Sequence, residues 1–278
     1  MCWCYQSQVT CDSRCQGPNA WVNVNPSCGN NRQSPINIVT RKTKVDERLV
    51  PFKFSGYDNV FDTFVRNNGH TIQANIPILA TISGGNLGET YKAVQLHLHW
   101  GTNGGPGSEH TLHIVHMKLR YNRIEDALRD PAGLAVLGFF YQESNSINKK
   151  YNQITNALSS IENIDGNTTL RRVSLGQYIL PEESMYNYYR YYGSLTTPGC
   201  TEAVVWSVFE KAIPLHREQL KAFSNLKFPD GSPMVETFRP VQPRNGRTVY
   251  HSSSPPLAST AVLMLISVST AFALTGLQ

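Results

Sequence analysis

The segment Gln95-Leu96-His97-Leu98-His99-Trp100 alternates polar and apolar side chains with a period of two. In a β-strand, successive side chains point to opposite faces. Gln95, His97 and His99 therefore share one face, while Leu96, Leu98 and Trp100 pack on the other. Turn chemistry follows in Gly101-Thr102-Asn103-Gly104-Gly105-Pro106-Gly107-Ser108, then a second strand-like run, Leu112-His113-Ile114-Val115-His116-Met117. Paired antiparallel across the turn, that run brings a third imidazole beside the first two. Parity puts His113 and Val115 on one face and turns His116 away. Three neutral imidazoles leave the fourth tetrahedral position of a zinc ion open, the donor set of a catalytic rather than a structural site. Gln95 is available to support that set from outside. A lone strand histidine is usually an ordinary core or surface residue. Here five histidines fall between positions 97 and 116, two of them at strand spacing, which favours a metal site.

The same alternation recurs outward from this segment. Apolar-alternating runs at 71–79, 93–100, 112–119, 134–141 and 203–209 are separated by turn residues. Helical periodicity is modest and predicts short helices at 152–161 and 216–224. The chain has 278 residues, 40% of them hydrophobic, enough for one large core or at most two small ones. Its 20 glycines and 16 prolines favour strands and turns over long helices. The fold class expected is mainly β (α+β), with one domain over 29–250 and no internal repeat. The net charge of +5 comes from scattered Lys and Arg, with no basic run interleaved with aromatics, so no nucleic-acid partner is expected.

The cysteines speak to compartment. Cys2, Cys4, Cys11, Cys15 and Cys28 crowd the start, and Cys200 stands alone. None forms a CxxC pair matched by a second, so a structural zinc cluster is not expected. Disulfides pinning an N-terminal arm, residues 1–28, in an oxidising compartment are. The sequon Asn167-Thr168-Thr169 agrees with an extracellular glycoprotein. From residue 257 the chain reads LASTAVLMLISVSTAFALTGLQ, and no charged residue follows Arg247. Small residues Ser252-Ser253-Ser254 and Pro255-Pro256 precede this apolar stretch. That order matches a cleavable glycolipid (GPI) anchor signal over 251–278, a membrane tether by lipid. A tail-anchored helix is the competing reading. The start, MCWCYQSQVT, holds no apolar run of a secretory signal, so a signal is expected to have been left out of this chain or its start to be incomplete.

Several motifs now fall in order: Gln33-Ser34-Pro35-Ile36-Asn37-Ile38, Asn67-Asn68-Gly69-His70, QLHLHWG from Gln95, GSEHT from Gly107, Tyr192-Gly193-Ser194-Leu195-Thr196-Thr197-Pro198 and Phe238-Arg239-Pro240. In these the chain resembles the α-class carbonic anhydrases over most of residues 20–250. Within that family it is most similar to the glycolipid-anchored extracellular isozymes, through Cys28 and Cys200 as an inter-segment disulfide, a Cys4/Cys15 arm and the apolar tail. Cys2 and Cys11 have no partner in that pattern. The resemblance implies a single domain around a large twisted, mostly antiparallel central sheet with a few short peripheral helices. It also implies the reversible hydration of CO₂ to bicarbonate, with Zn²⁺ on His97, His99 and His113 and sulfonamide-type inhibitors. Thr196 would orient the nucleophile and donate its hydroxyl hydrogen to Glu109, a positioning effect. Val115, Val136, Leu195, Val204 and Trp206 would form the apolar wall for CO₂, and Thr197 would sit where bicarbonate and inhibitors lie. His70 would pass the product proton to bulk water, titrating near its ordinary value of about 6.5. Tyr5 and Asn68 would order the intervening waters. Each of these residues also has an ordinary reading, as a core, surface or hydrogen-bonded residue.

The pattern breaks once. Family members place roughly nine more residues, holding a hairpin turn, before the third ligand, and a glutamate two residues ahead of it. Here Glu109-His110-Thr111 runs straight into Leu112-His113, and position 111 is Thr. Losing such an outer carboxylate typically lowers metal affinity or activity roughly 10–100-fold. A recognisable fold with a distorted third ligand is therefore expected. Two functions follow: a cell-surface zinc lyase, or a catalytically weakened binding or structural protein of the same fold. A zinc hydrolase for esters or peptides ranks below both, because the chain has no HExxH helix and no obvious general-base glutamate beside the metal.

Overall fold

Every residue from Leu134 to Phe139 and from Val204 to Phe209 is buried, as expected for central strands covered on both faces. A computed structural model describes residues 2–102 and 111–253. Its strands are β1 (Lys44–Val45), β2 (Phe52–Ser55), β3 (Phe61–Asn67), β4 (Ile72–Asn75), β5 (Thr81–Gly84), β6 (Tyr91–His99) and β7 (Thr111–Lys118). They continue with β8 (Leu134–Ser144), β9 (Asn167–Val173), β10 (Tyr188–Gly193), β11 (Val204–Phe209), β12 (Ile213–His216) and β13 (Tyr250–His251). One sheet joins them in the order β1-β13-β10-β11-β8-β7-β6-β4-β3-β9, with β12 on β8 and β5 linking β2 to β6. Pairing is mostly antiparallel, and the exceptions are β1–β13, β11–β8 and β12–β8. The mainly β architecture is as the sequence predicts.

Boundaries differ where local chemistry intervenes. The run at 71–79 yields only β4, because Pro77 offers no N–H to extend the ladder beyond Ile76. The predicted helices form as Asn152–Ala157 and Arg217–Ala222, each continued by a short 3₁₀ turn. His216 caps the second, accepting at Nδ1 from the Glu218 N–H at 3.2 Å.

Strand parity divides the core. Leu96, Leu98, Leu112, Ile114, Leu137 and Phe139 enter the large cluster on one sheet face. Val115, Met117, Val136, Val204, Trp206 and Val208 form a smaller cluster on the other, the face carrying His113. Over this face the first and last sequence motifs meet. The buried Arg239 guanidinium donates to Gln33 Oε1 at 2.7 Å, to the Ser34 carbonyl at 3.2 Å and to the Cys28 carbonyl at 3.0 Å. Three oxygen acceptors hold a cation that could not otherwise leave water.

Three disulfides are present. Cys28–Cys200 joins segments 172 residues apart, as the resemblance implies. The arm differs from that expectation: Cys15 bonds Cys2, and Cys4 bonds Cys11. The backbone explains the exchange. Cys4 N–H donates to the Gln16 carbonyl and Gln16 N–H to the Cys2 carbonyl, both at 3.0 Å, which sets Cys2 beside Cys15. No helix among the described residues is long and apolar enough to cross a membrane. The apolar tail read as an anchor signal falls, from residue 254 on, outside the described residues.

Candidate metal centre

The β6–β7 ladder runs from Tyr91↔Lys118 to His99↔Thr111 and places His113 directly opposite His97. On its other edge β7 is gripped by β8, from Thr111↔Phe140 to Met117↔Leu134. Two ladders fix the register, so the short connection does not displace His113 as expected. The candidate donor atoms of His97, His99 and His113 all lie within 4.8 Å of one another. His97 Nε2 and His113 Nδ1 are 3.3 Å apart.

Each ring is aimed by a partner on its other side. His97 Nδ1 donates to Gln95 Oε1 at 2.9 Å, the supporting role suggested by strand parity. His99 Nδ1 donates to the Thr237 carbonyl, which leaves Nε2 as its donor atom toward a metal. Trp206 packs edge-on against His113, ring centroids 4.8 Å apart. Burial pushes all three imidazoles down, His99 to about 4 and the other two well below the usual histidine value. His97 and His113 are lowered further by His99 beside them. Neutral imidazoles at pH 7 are the form that binds a metal. Three convergent, neutral, oriented nitrogens fit a divalent cation that favours nitrogen donors.

His116 lies on the opposite face, as parity predicts. Its Nδ1 donates to the Ala135 carbonyl at 3.2 Å, and its Nε2 accepts from the Tyr57 hydroxyl at 2.5 Å.

His70 sits in a loop built by its neighbours. Asn68 Oδ1 accepts from the N–H groups of His70 (3.0 Å) and Thr71 (2.9 Å). Asn67 Oδ1 accepts from Gly69, whose φ of +85° is open to glycine at little cost. The His70 ring stacks on Trp3 of the N-terminal arm, centroids 3.7 Å apart and 11° from parallel, with Tyr5 beyond at 6.3 Å. Burial lowers its pKa to about 4, so the expectation of titration near 6.5 does not hold in this conformation. Because the folded value lies below the unfolded one, this group contributes stability above about pH 6.5 that is lost as pH falls toward 4. Trp3→Ala removes the stacked face and is expected to raise the His70 pKa toward 6.5. Histidine ring-proton titration by NMR checks this, and an unmoved midpoint would refute it.

The segment after β10 carries Ser194, Leu195, Thr196 and Thr197. Ser194 N–H donates to Ser34 Oγ at 3.0 Å, and Leu195 N–H to the Thr201 carbonyl at 3.1 Å. Trp206 Nε1 donates to the Ser194 carbonyl at 3.1 Å, tying the loop to the apolar wall. Thr196 is buried, and Leu195 packs against the small cluster with Val115, Val136, Val204 and Trp206. Glu109, expected to bond Thr196, lies outside the described residues.

Three residues of this region escape sequence reasoning. Thr237 meets His99 through its carbonyl, and Trp3 meets His70 across 67 positions; neither contact has a local signature. Gly138 pairs with His113 and leaves the floor beside it bare. The motif Phe238-Arg239-Pro240 came within one residue of the first.

The family model for eukaryotic-type carbonic anhydrases matches residues 16–253. The chain is 41% identical to carbonic anhydrase 4 of Mus musculus, covering 91% of this chain and 85% of the relative. It is 39% identical to carbonic anhydrase 4 of Oryctolagus cuniculus, covering 91% and 84% respectively. Against carbonic anhydrase 12 of Homo sapiens the identity is 35%, covering 94% and 78%.

Proposed function

The chain belongs to the eukaryotic-type carbonic anhydrases, and from that membership we propose that it catalyses zinc-dependent, reversible hydration of carbon dioxide to bicarbonate and a proton at the extracellular membrane surface. The observation that carries this reading is the convergence of His97, His99 and His113 within 4.8 Å. These residues would hold Zn²⁺, which as a Lewis acid acidifies water for attack on the substrate. Gln95 and the Thr237 carbonyl would keep two of the rings in the right tautomer and orientation. Val115, Val136, Leu195, Val204 and Trp206 offer CO₂ an apolar wall and exclude water beside the metal. Thr196 would orient the attacking oxygen by accepting a hydrogen bond from it and donating its own hydroxyl hydrogen bond to Glu109, with Thr197 receiving bicarbonate or a sulfonamide. His70 would release the product proton, with Tyr5 and Asn68 around the path. Burial lowers its pKa, which makes it a readier proton donor than acceptor.

The cell-surface part rests on three disulfides and on an exposed sequon asparagine, Asn167. We assign 1–28 to the arm, 29–250 to the catalytic domain and 251–278 to a cleavable anchor signal. One observation favours a weakened relative instead: Thr111, two residues before His113, is no carboxylate. Near-stoichiometric zinc with sulfonamide-sensitive CO₂ hydration in stopped flow is the expected result, and zinc without turnover would establish the weaker reading. Phosphatidylinositol-specific phospholipase should release the protein from cells, and retention would refute the lipid anchor.

A further inference from the structure

Beside the histidines, the strands bring His113, Gly138, Val208 and Tyr189 side by side across β7, β8, β11 and β10. Gly138 contributes no side chain to this row, so the sheet face dips between His113 and Val208. The segment from Pro35 to Ile38 roofs the dip, and a cavity of about 340 Å³ results. We propose that this cavity is a second binding site, distinct from the metal centre, for a neutral single-ring aromatic molecule of the phenol class.

Size, charge and lining each narrow the ligand. The volume lies at the low end of the roughly 300–1,000 Å³ range of small-molecule pockets, which suits one ring and its substituent. Among the described residues no charged side chain lines it, so an ionic ligand would lose its hydration without compensation from them. Phe140, Tyr191 and Trp206 present aromatic surface from three strands, and aromatic pairs gain from edge-on or offset contact beyond the area they bury. Phe140 and Val241 remain 37% and 47% exposed at the mouth, an apolar rim open to solvent. Asn37 lines the cavity and is exposed, and its amide is available to a ring hydroxyl. Trp206 from the CO₂ wall and His113 from the donor set both line this cavity, while Val115, Val136, Leu195 and Val204 do not, so the two sites meet along those two side chains.

The site can be closed from Gly138 without removing a metal donor. A Cβ on Gly138 would meet Val208 Cγ2 at 3.6 Å, His113 Cδ2 at 3.8 Å and Trp206 Cζ3 at 3.9 Å, ordinary contacts. Gly138→Leu should therefore fill the cavity. The probe is 4-fluorophenol, titrated into the full chain and followed by ¹⁹F NMR, with NOEs from its ring protons recorded in the same samples. The expected result is saturable binding at about 1 mM or tighter, NOEs to Phe140 and Val208, and at least about tenfold weaker binding to Gly138→Leu. Absence of saturation, NOEs to His97 and His99 instead, or undiminished binding by a folded Gly138→Leu would each overturn the proposal. If that variant does not fold, the wild-type NOEs alone decide.

Discussion

His113→Ala should abolish stoichiometric zinc binding, whereas His116→Ala should leave it intact and lower stability. The two histidines lie three residues apart on one strand and face opposite sides of the sheet. His113 has its Nδ1 3.3 Å from His97 Nε2, inside the donor cluster. Removing one of three donors should cost more than about 100-fold in affinity, beyond the roughly 10–100-fold typical of losing an outer partner. His116 is fully buried on the large-core side, where it accepts from Tyr57. Its loss strands a buried hydroxyl, about 1–3 kcal/mol, and leaves a void. Metal analysis after dialysis, together with thermal unfolding, separates the two effects. The reverse pattern would mean that β7 sits one residue out of register, since a single slip exchanges every face.

Replacing Cys28 and Cys200 by serine should destabilise the fold by about 2–5 kcal/mol. The bond closes a loop of 172 residues, and both sulfurs are buried, at 6% and 0% exposure. The arm bond Cys2–Cys15 spans 13 residues. On loop entropy alone its removal should matter less by about 2 kcal/mol. Cys200 also ends the segment carrying Thr196 and Thr197, and its N–H donates to the Thr197 carbonyl at 2.8 Å. The serine pair should therefore loosen that segment as well. Urea unfolding of the two double variants gives the comparison directly; equal losses would show that chain entropy is not the main contribution.

The histidine face was legible because period-two alternation is a local code. His97, His99 and His113 converge for the reason that parity gives, and Leu96, Leu98 and Leu112 turn to the opposite core. Helix positions were legible for the same kind of reason, although their ends fell to capping by His216 and short 3₁₀ turns. Pro77 cut a predicted strand through its missing donor, a rule that was available and outweighed by hydropathy. The arm disulfides were not legible: four cysteines within 15 residues permit several pairings, and the choice rests on two backbone hydrogen bonds between Cys2, Cys4 and Gln16. The connection into β7 hides its outcome for a related reason. Its length argued for strain at His113, yet register is held by ladders on both edges of β7, and neither ladder is visible from loop length. Trp3 against His70 is likewise a tertiary contact, and it moves a pKa that sequence alone would leave at its reference value.

The carbonyl of Thr237 that orients His99 lies 138 residues downstream of it. The same residue receives the Trp100 N–H on its hydroxyl at 3.0 Å and donates its own N–H to the Trp100 carbonyl at 2.9 Å, closing the end of β6. During synthesis at roughly 5–20 residues per second, about 7–28 s separate translation of the two. For that interval the histidine strands can pair, but the ring of His99 lacks its acceptor. Completion of the metal site is therefore timed to the last fifth of the chain, and a ribosome that stalls earlier carries two histidine strands without a finished centre.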